Sequence, residues 1–206
     1  MIQFIKEIIV ILRRKMIVLG IDPGTAIVGY SVIEFIKNKY NVLDYGCVFT
    51  DKDEDMPVRL EQIYDKLDGI IKIWKPVDMA IEELFFFKNQ KTIIKVGQAR
   101  GVITLCGQKK KLNLFSYTPL QVKMGVTGYG KADKKQVQEM VKVILGLETI
   151  PKPDDAADAL AIAITHINSK GGFGSFSRSD NLNSKLKKLE SNRISVAEYK
   201  KLMGMK

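Results

Sequence analysis

Residues 16–25, MIVLGIDPGT, decide the fold because they join an apolar run directly to an aspartate and a tight turn. An apolar run of this length that ends at a turn signal predicts a buried β-strand. Pro23 and Gly24 are typical turn residues, so Asp22 would be held at the edge of a sheet and not on a mobile loop. The stretch therefore predicts a first strand with a fixed carboxylate at its end.

The chain up to about residue 168 predicts four more strands and four helices. The further strands are VGYSVIEF (28–35), YNVLDYGCVF (40–49), VDMAIEEL (77–84) and LNLFSYT (112–118). The predicted helices cover residues 57–74, 87–110, 132–146 and 153–168, and a loop with three glycines follows Pro119. The order opens βββαβαβα, which favours an α/β fold with a five-stranded mixed sheet flanked by helices.

Acidic side chains stand at three separated places where a predicted strand ends or a predicted helix begins. Asp22 follows the first strand, Glu82 and Glu83 follow a later buried run, and Asp155 and Asp158 lie in the first turns of the last helix. Strand side chains alternate between faces, so only one of the two glutamates shares a pocket with Asp22, and the pattern does not say which. A fold that gathered these carboxylates would form an oxygen-lined site suited to Mg²⁺ or Mn²⁺.

The composition excludes other kinds of metal centre. One histidine and two cysteines are too few for the nitrogen and sulfur ligands that zinc or copper prefers. His166 lies about 12 Å along the helix from Asp158, at 1.5 Å per residue, so we expect a structural role for it.

Cys47 and Cys106 do not form a disulfide framework, which favours a reducing, cytoplasmic location. The apolar run at residues 8–12 is too short for a membrane span and has no signal-peptide cleavage site.

Charge is distributed unevenly along the chain. Residues 16–83 carry 7 basic and 13 acidic side chains, a net charge of −6, whereas residues 84–152 carry 13 basic and 3 acidic ones, a net charge of +10. A basic stretch is often only a solvated surface. Next to a predicted carboxylate site, however, it indicates a track for a phosphate backbone.

Several features within the basic half bear on nucleic-acid binding. GVTGYGKA, residues 125–132, nearly matches a phosphate loop, but Ala132 replaces the hydroxyl that would bind magnesium, and no apolar strand precedes it. A glycine loop with Lys131, Lys134 and Lys135 still suits contact with a DNA backbone. The three phenylalanines at 85–87 are either core residues or include an exposed ring that stacks on an unpaired base. Glycines at 97, 101 and 107 of the second helix indicate close packing, either between subunits or within the domain.

The chain contains, in order, GIDPGT, AIEELFF, KVGQARGV, TPLQVKMGVTGYGKADKKQVQ and DDAADALAIAITH. These motifs, at these separations, closely resemble those of the RuvC family of Holliday-junction resolvases over about residues 16–168. The resemblance implies a ribonuclease-H-like fold, with Asp22, Glu82, Asp155 and Asp158 as the catalytic and metal-binding carboxylates. It also implies that Phe85 supplies an aromatic ring at the junction centre and that Lys123 and Lys134 contact DNA.

The resemblance further implies the reaction and its partners. The expected enzyme is a homodimeric endonuclease of DNA recombination and repair that cuts a four-way junction symmetrically. The expected cofactor is a pair of Mg²⁺ ions per active site, for which Mn²⁺ substitutes, and the expected products are nicks with 5′-phosphate and 3′-hydroxyl ends. The branch-migration complex is a further expected partner.

Two segments and two other functions remain outside this interpretation. Residues 1–15 are interpreted as an extension before a natural start at Met16, and residues 169–206 as a basic tail, flexible or helical. The motif D-x-G-T also occurs in actin-like sugar kinases and ATPases, but these need two related lobes and a second phosphate motif, neither of which the sequence contains. The non-enzyme alternative is a junction-binding protein with a vestigial site.

Overall fold

The computed structural model describes residues 15–83 and 90–172, except for the side chains of residues 90–92 and 171–172. Within them the elements are, in chain order, β1 (Met16–Asp22), β2 (Ile27–Ile36), β3 (Lys39–Phe49), α1 (Met56–Trp74), β4 (Asp78–Glu82), α2 (Gln90–Lys109), β5 (Asn113–Tyr117), α3 (Pro119–Thr127), α4 (Lys134–Leu145) and α5 (Asp154–Ile167). A π-helical turn, Asn168–Gly172, follows α5. The five predicted strands and four predicted helices are confirmed. The predicted extension before residue 15 and almost all of the predicted tail lie outside the described residues.

The five strands form one mixed sheet in the order β3-β2-β1-β4-β5. Strands β1, β2 and β3 pair antiparallel, as two successive hairpins, while β1 pairs parallel with β4, and β4 pairs parallel with β5. Ile21 of β1 is in register with Ile81 of β4. Because these central strands run in the same direction, their carboxyl ends meet at one edge of the sheet, the usual place for a ligand site in such folds.

Apolar side chains cover both faces of the sheet, which makes the domain a three-layer structure. On one face, Leu19 and Ile21 of β1 pack with residues of α1 and α2. On the other face, Val18 of β1 and Ala80 of β4 pack with residues of α3, α4 and α5. This alternation follows from the two-residue period of a strand. No helix among the described residues is long and apolar enough to cross a membrane.

Helix α5 approaches the sheet unusually closely because two strand positions have no side chain. A β-carbon at Gly20 would lie 2.3 Å from the carbonyl oxygen of Ala159, and one at Gly29 would lie 2.0 Å from that of Asp155. The Ser31 hydroxyl, also buried beneath the helix, donates a hydrogen bond of 2.8 Å to the Ala159 carbonyl. The glycines therefore let the first half of α5 lie directly on β1 and β2.

Helix α3 was not predicted from the sequence, which was interpreted as a strand ending at Pro119 followed by a glycine-containing loop. Proline at the first position of a helix is favourable, because that position has no intrahelical partner for its N–H. Thr118 and Gln121 form a capping box in which the Thr118 side chain accepts from the Gln121 N–H and the Gln121 side chain accepts from the Thr118 N–H. The sequence TPLQ was thus a helix start signal that the prediction interpreted as a strand end.

Candidate active site

Asp22 and Glu82 end the two central parallel strands and lie side by side at the carboxyl edge of the sheet. They occupy the positions after Ile21 and Ile81, which are in register. Strand alternation puts both on the face that carries Val18 and Ala80, the face covered by α5. The structure therefore places Glu82 next to Asp22, whereas the backbone N–H of Glu83 continues the sheet by donating to the Tyr117 carbonyl at 2.8 Å.

Helix α5 brings Asp155 and Asp158 to the same edge. The helix begins after Pro153, and its first turn lies against β2, where Asp155 contacts Gly29. Asp155 and Asp158 are one turn apart, so both face the end of β1. Both aspartates are close enough to Asp22 for their negative charges to raise its pKa.

The pKa values at this edge are raised because negative charge is concentrated in a buried place. Burial, with further contributions from Glu82, Asp158 and Asp155, raises the pKa of Asp22 to about 8. Burial and the Asp158 charge likewise raise the pKa of Glu82 to about 6, against a hydrogen bond from Asp22 that favours the Glu82 carboxylate. Asp22 and Glu82 therefore share a hydrogen bond where the negative charge is most concentrated.

Lys134, the first residue of α4, supplies the positive charge at this site. Its ammonium nitrogen lies 3.1 Å from Asp158 Oδ2 and 3.5 Å from Asp154 Oδ2. Asp154 is also paired with Lys152 at 3.1 Å. Within residues 15–83 and 90–172, no group of three or more histidine, cysteine or acidic side chains is already arranged to hold a metal ion.

The donor set nevertheless fits a divalent cation of the magnesium type. Four carboxylates lie at one sheet edge, and the ammonium group of Lys134 offsets part of their mutual repulsion. Hard oxygen ligands of this kind suit Mg²⁺ or Mn²⁺ and do not suit zinc in a structural site. The side chains that could hold such an ion are Asp22, Glu82, Asp155 and Asp158.

The other lysines singled out from the sequence lie on α3, on α4 and in the loop between them. Lys123 lies on α3, Lys131 in the loop after it, and Lys135 in the first turn of α4. Within the described part of the chain, no ion pair engages these three lysines, in contrast to Lys134. A cavity of about 480 Å³ between α3 and α4 is lined by Lys135 and by the exposed ring of Tyr129. Phe85 and the two rings after it lie outside the described residues.

Two arginines that were not singled out from the sequence donate hydrogen bonds that hold the segments next to the carboxylates in place. Arg59 of α1 is buried, and its Nε donates to Thr50 Oγ1 at 2.9 Å. Thr50 in turn donates through its hydroxyl to the Thr25 carbonyl and through its N–H to the Ala26 carbonyl, so the turn after Asp22 is held in place.

Arg100 of α2 acts on the neighbouring strand. Its Nε donates to the backbone carbonyl of Glu82 at 3.4 Å, and its Nη2 donates to Ser116 Oγ at 2.8 Å. Because both arginines act on partners distant in the chain, no local sequence pattern could have identified them.

His166 lies at the opposite end of α5 and has the structural role predicted for it. Its imidazole is fully buried, with Nε2 3.0 Å from Asp78 Oδ2 and Nδ1 2.8 Å from the Tyr117 hydroxyl. Burial lowers the pKa of His166 despite the opposing effect of the Asp78 carboxylate. The ring is therefore neutral near pH 7, with its N–H donated to Asp78.

Comparisons with known proteins agree on one family. The family model described as crossover junction endodeoxyribonuclease RuvC matches residues 18–166. A crossover junction endodeoxyribonuclease RuvC from Fusobacterium nucleatum is 60% identical over 186 residues, which cover 90% of this chain and 98% of that protein. An alignment of 186 residues is longer than residues 1–168, so it includes part of the stretch after residue 168 that the motif resemblance left unexplained.

Solved structures give the same result for the fold. The Thermus thermophilus RuvC structure has a TM-score of 0.71 at 34% identity, covering 75% of this chain and 95% of the Thermus chain. A structure of T. thermophilus RuvC in complex with a Holliday junction substrate has a TM-score of 0.70 at 32% identity, with the same coverage. The five-stranded mixed sheet flanked by helices is thus a ribonuclease-H-like fold, as the sequence predicted.

Proposed function

The chain belongs to the RuvC family of crossover junction endodeoxyribonucleases, and from this premise we propose that it resolves Holliday junctions by hydrolysing phosphodiester bonds in two opposed strands. The observation that carries the proposal is that Asp22 and Glu82 end neighbouring parallel strands in register, while α5 brings Asp155 and Asp158 to the same edge, where their charges raise the pKa of the half-buried Asp22. Such a concentration of acid at a sheet edge opposes folding unless a cation or proton offsets it, so its presence supports a functional site.

In this proposal Asp22, Glu82, Asp155 and Asp158 hold two Mg²⁺ ions, for which Mn²⁺ substitutes. The chemistry that bound ions of this kind supply is activation of a water molecule and stabilisation of the leaving 3′-oxygen in an in-line displacement. The rigid ends of β1 and β4 hold Asp22 and Glu82 in a fixed relative position, so that ions bound by them would be placed consistently against the reacting phosphate. The products are a 5′-phosphate and a 3′-hydroxyl, which a ligase can rejoin.

The lysine-rich surface of α3 and α4 binds the junction backbone next to the carboxylates. Lys123, Lys131 and Lys135 supply positive charge that no carboxylate among the described residues offsets by an ion pair. The exposed ring of Tyr129 lies beside Lys135 in the cavity between the two helices, where a base or sugar can pack on it. We include Phe85 and Lys134 in this DNA-binding set on the motif resemblance.

A second copy of the chain docks on the exposed face of α2. Ile94 and Leu105 are 63% and 55% exposed on this face, and a β-carbon at Gly97 or Gly101 would meet no atom within 4 Å. The four residues follow one another at intervals of three, four and four positions, so they form one stripe along the helix. A second helix can approach this stripe closely because its middle two residues are glycines. A two-fold dimer matches a junction that needs two symmetric cuts.

A nicking assay on a synthetic four-way junction tests the proposal directly. With Mg²⁺, we expect the full-length protein to nick two opposed strands of the junction and to leave a linear duplex of the same sequence intact. Asp22→Asn should abolish cleavage and preserve junction binding, because it removes one proposed ligand and one negative charge near phosphate.

Asp154→Asn is a matched control, since Asp154 lies on the same helix as two proposed ligands but is engaged by Lys152. Cutting without a divalent cation, or cutting by the Asp22→Asn variant, would contradict the assignment of the carboxylates as metal ligands. Junction binding with no cutting by the wild-type protein would favour a binding protein with a vestigial site.

A further inference from the structure

Lys134 occupies a position that is unusual for a DNA-contacting lysine, because its charge is directed into the carboxylate site. Its ammonium nitrogen is 3.1 Å from Asp158 Oδ2, and it also lowers the pKa of Asp22 and of Glu82 against the effect of burial. The Asp133 capping box fixes the backbone at the start of α4, so the lysine side chain extends from a rigid base. A single positive group therefore faces three of the four acidic residues.

The same contact engages Asp158, one of the proposed metal ligands. Among the described residues, no three acidic side chains already converge on a metal position, although four lie at one sheet edge. Asp154, the other partner of Lys134, keeps its second partner Lys152 and so does not depend on Lys134 for charge balance. Asp158 has no second cationic partner among the described residues.

We propose that Lys134 is the resident counter-ion of the metal-free active site, and that a divalent cation must displace its ammonium group from Asp158 to bind. This inference rests on the proposed function, because it takes Asp158 as a metal ligand. It adds a role for Lys134 in the protein without DNA, where the lysine competes with the metal for Asp158. Once displaced, the ammonium group is free to contact a phosphate, so metal binding prepares the protein to hold DNA.

A metal ion can displace the Lys134 ammonium group at little energetic cost because the ion pair is partly exposed to water. The Lys134 side chain is 56% exposed and the Asp158 side chain 32% exposed. Water screens such a pair, so its loss changes an affinity by no more than about fivefold. Lys134 thus offsets part of the negative charge of the site without excluding the metal.

Direct Mn²⁺ binding to the full-length protein without DNA tests the competition. Free Mn²⁺ can be counted from its electron paramagnetic resonance signal. We expect Lys134→Met, which removes the charge and keeps an unbranched side chain, to bind Mn²⁺ about two- to fivefold more tightly than the wild type. Lys135→Met removes a neighbouring charge that forms no ion pair with a carboxylate in the described part of the chain, and it should leave the affinity close to the wild-type value. Equal tightening in both variants, or none in Lys134→Met, would overturn the inference.

A second measurement reports the displacement itself. Amine-reactive labelling followed by peptide mass spectrometry measures how accessible each lysine nitrogen is. Addition of Mg²⁺ should increase labelling of Lys134 and leave that of Lys135 unchanged. Labelling of Lys134 that does not respond to Mg²⁺ would show that the ion pair persists, which contradicts displacement.

The Asp22→Asn variant separates failure of this inference from failure of the proposed function. If Asp22→Asn abolishes Mn²⁺ binding but Lys134→Met binds as the wild type does, the metal site stands and the competition is refuted. If Asp22→Asn binds Mn²⁺ as tightly as the wild type, the carboxylates are not the metal site, and both proposals fail.

Discussion

The carbonyl oxygen of Asp155 lies so close to Gly29 that a β-carbon at Gly29 would stand 2.0 Å from it. Neither partner can rotate away, because one is the backbone of a helix and the other the backbone of a strand. The missing side chain at position 29 therefore sets the distance between the start of α5 and β2. Since Asp155 is itself a proposed metal ligand, this packing contact also determines the geometry of the active site.

Replacement of Gly29 by alanine should therefore damage activity and stability together. We expect Gly29→Ala to lower the junction nicking rate by about 100-fold or more, because α5 must move outward with its carboxylates. The free energy of unfolding should fall by about 1–3 kcal/mol from overpacking. Gly69→Ala on α1, where a β-carbon meets no atom within 4 Å, should instead stabilise the protein by up to about 1 kcal/mol. Wild-type nicking by Gly29→Ala would refute the close-packing argument.

The single histidine should give the protein a pH-dependent component of stability. Burial lowers the pKa of His166 in the folded state, so folding becomes less favourable as the pH falls below the ordinary value of 6.5 and approaches the folded-state pKa. Urea unfolding of the wild type and of His166→Gln, at a series of pH values from 7.5 to about 5, isolates this component, because both proteins share the raised pKa of Asp22. The stability of the wild type relative to the variant should decline on acidification. A constant difference would mean that the ring does not titrate as a buried neutral group.

Lys123 should contribute to DNA binding through charge. We expect Lys123→Ala to weaken junction binding and to make its logarithmic salt dependence shallower by about one unit, the effect of one lost phosphate contact. Fluorescence anisotropy of a labelled junction in EDTA, across a salt series, measures this slope without cleavage. Lys66→Ala, at an exposed lysine on α1, should leave the slope unchanged. The same slope for Lys123→Ala and the wild type would remove Lys123 from the interface.

Leu105 should matter for assembly and not for the folding of one subunit. Leu105→Lys adds a charge to the exposed stripe of α2, so we expect sedimentation velocity to find monomers where the wild type forms dimers. Paired nicking of the junction should be lost, while thermal unfolding changes little. Ile73→Lys, at a position 70% exposed on α1, is the matched control and should remain dimeric. A dimeric Leu105→Lys protein would place the interface elsewhere.

Much of the fold could be predicted from sequence because the central strands contain short apolar runs that end at recognisable signals. Met16 to Asp22 and Asp78 to Glu82 end at acidic residues, so both the strands and the carboxylates at their ends were visible. Helix α3 was missed because Pro119 can end a strand as well as begin a helix. The Gly125 inside that helix also argued against it, although that glycine exists because a β-carbon there would lie 2.6 Å from the Thr165 side chain.

The site was predicted less completely, because several of its contacts join residues far apart in the chain. Alternation along the strand does not show whether Glu82 or Glu83 shares a pocket with Asp22. In the folded chain the register of β1 with β4 places Glu82 beside Asp22. The pairing of Lys134 with Asp158 depends on how α4 packs against α5, which no local pattern encodes. The support of the Asp22 turn by Arg59 through Thr50 depends in the same way on the packing of α1 against β3.

Anomalous diffraction from Mn²⁺-soaked crystals of the full-length protein would show whether the four carboxylates, distant in the chain, bind divalent cations together. We expect two manganese peaks about 3.5–4 Å apart, bound by Asp22, Glu82, Asp155 and Asp158, with the Lys134 ammonium group moved away from Asp158. Manganese bound only at other sites, with Asp158 still paired with Lys134, would refute the proposed metal site.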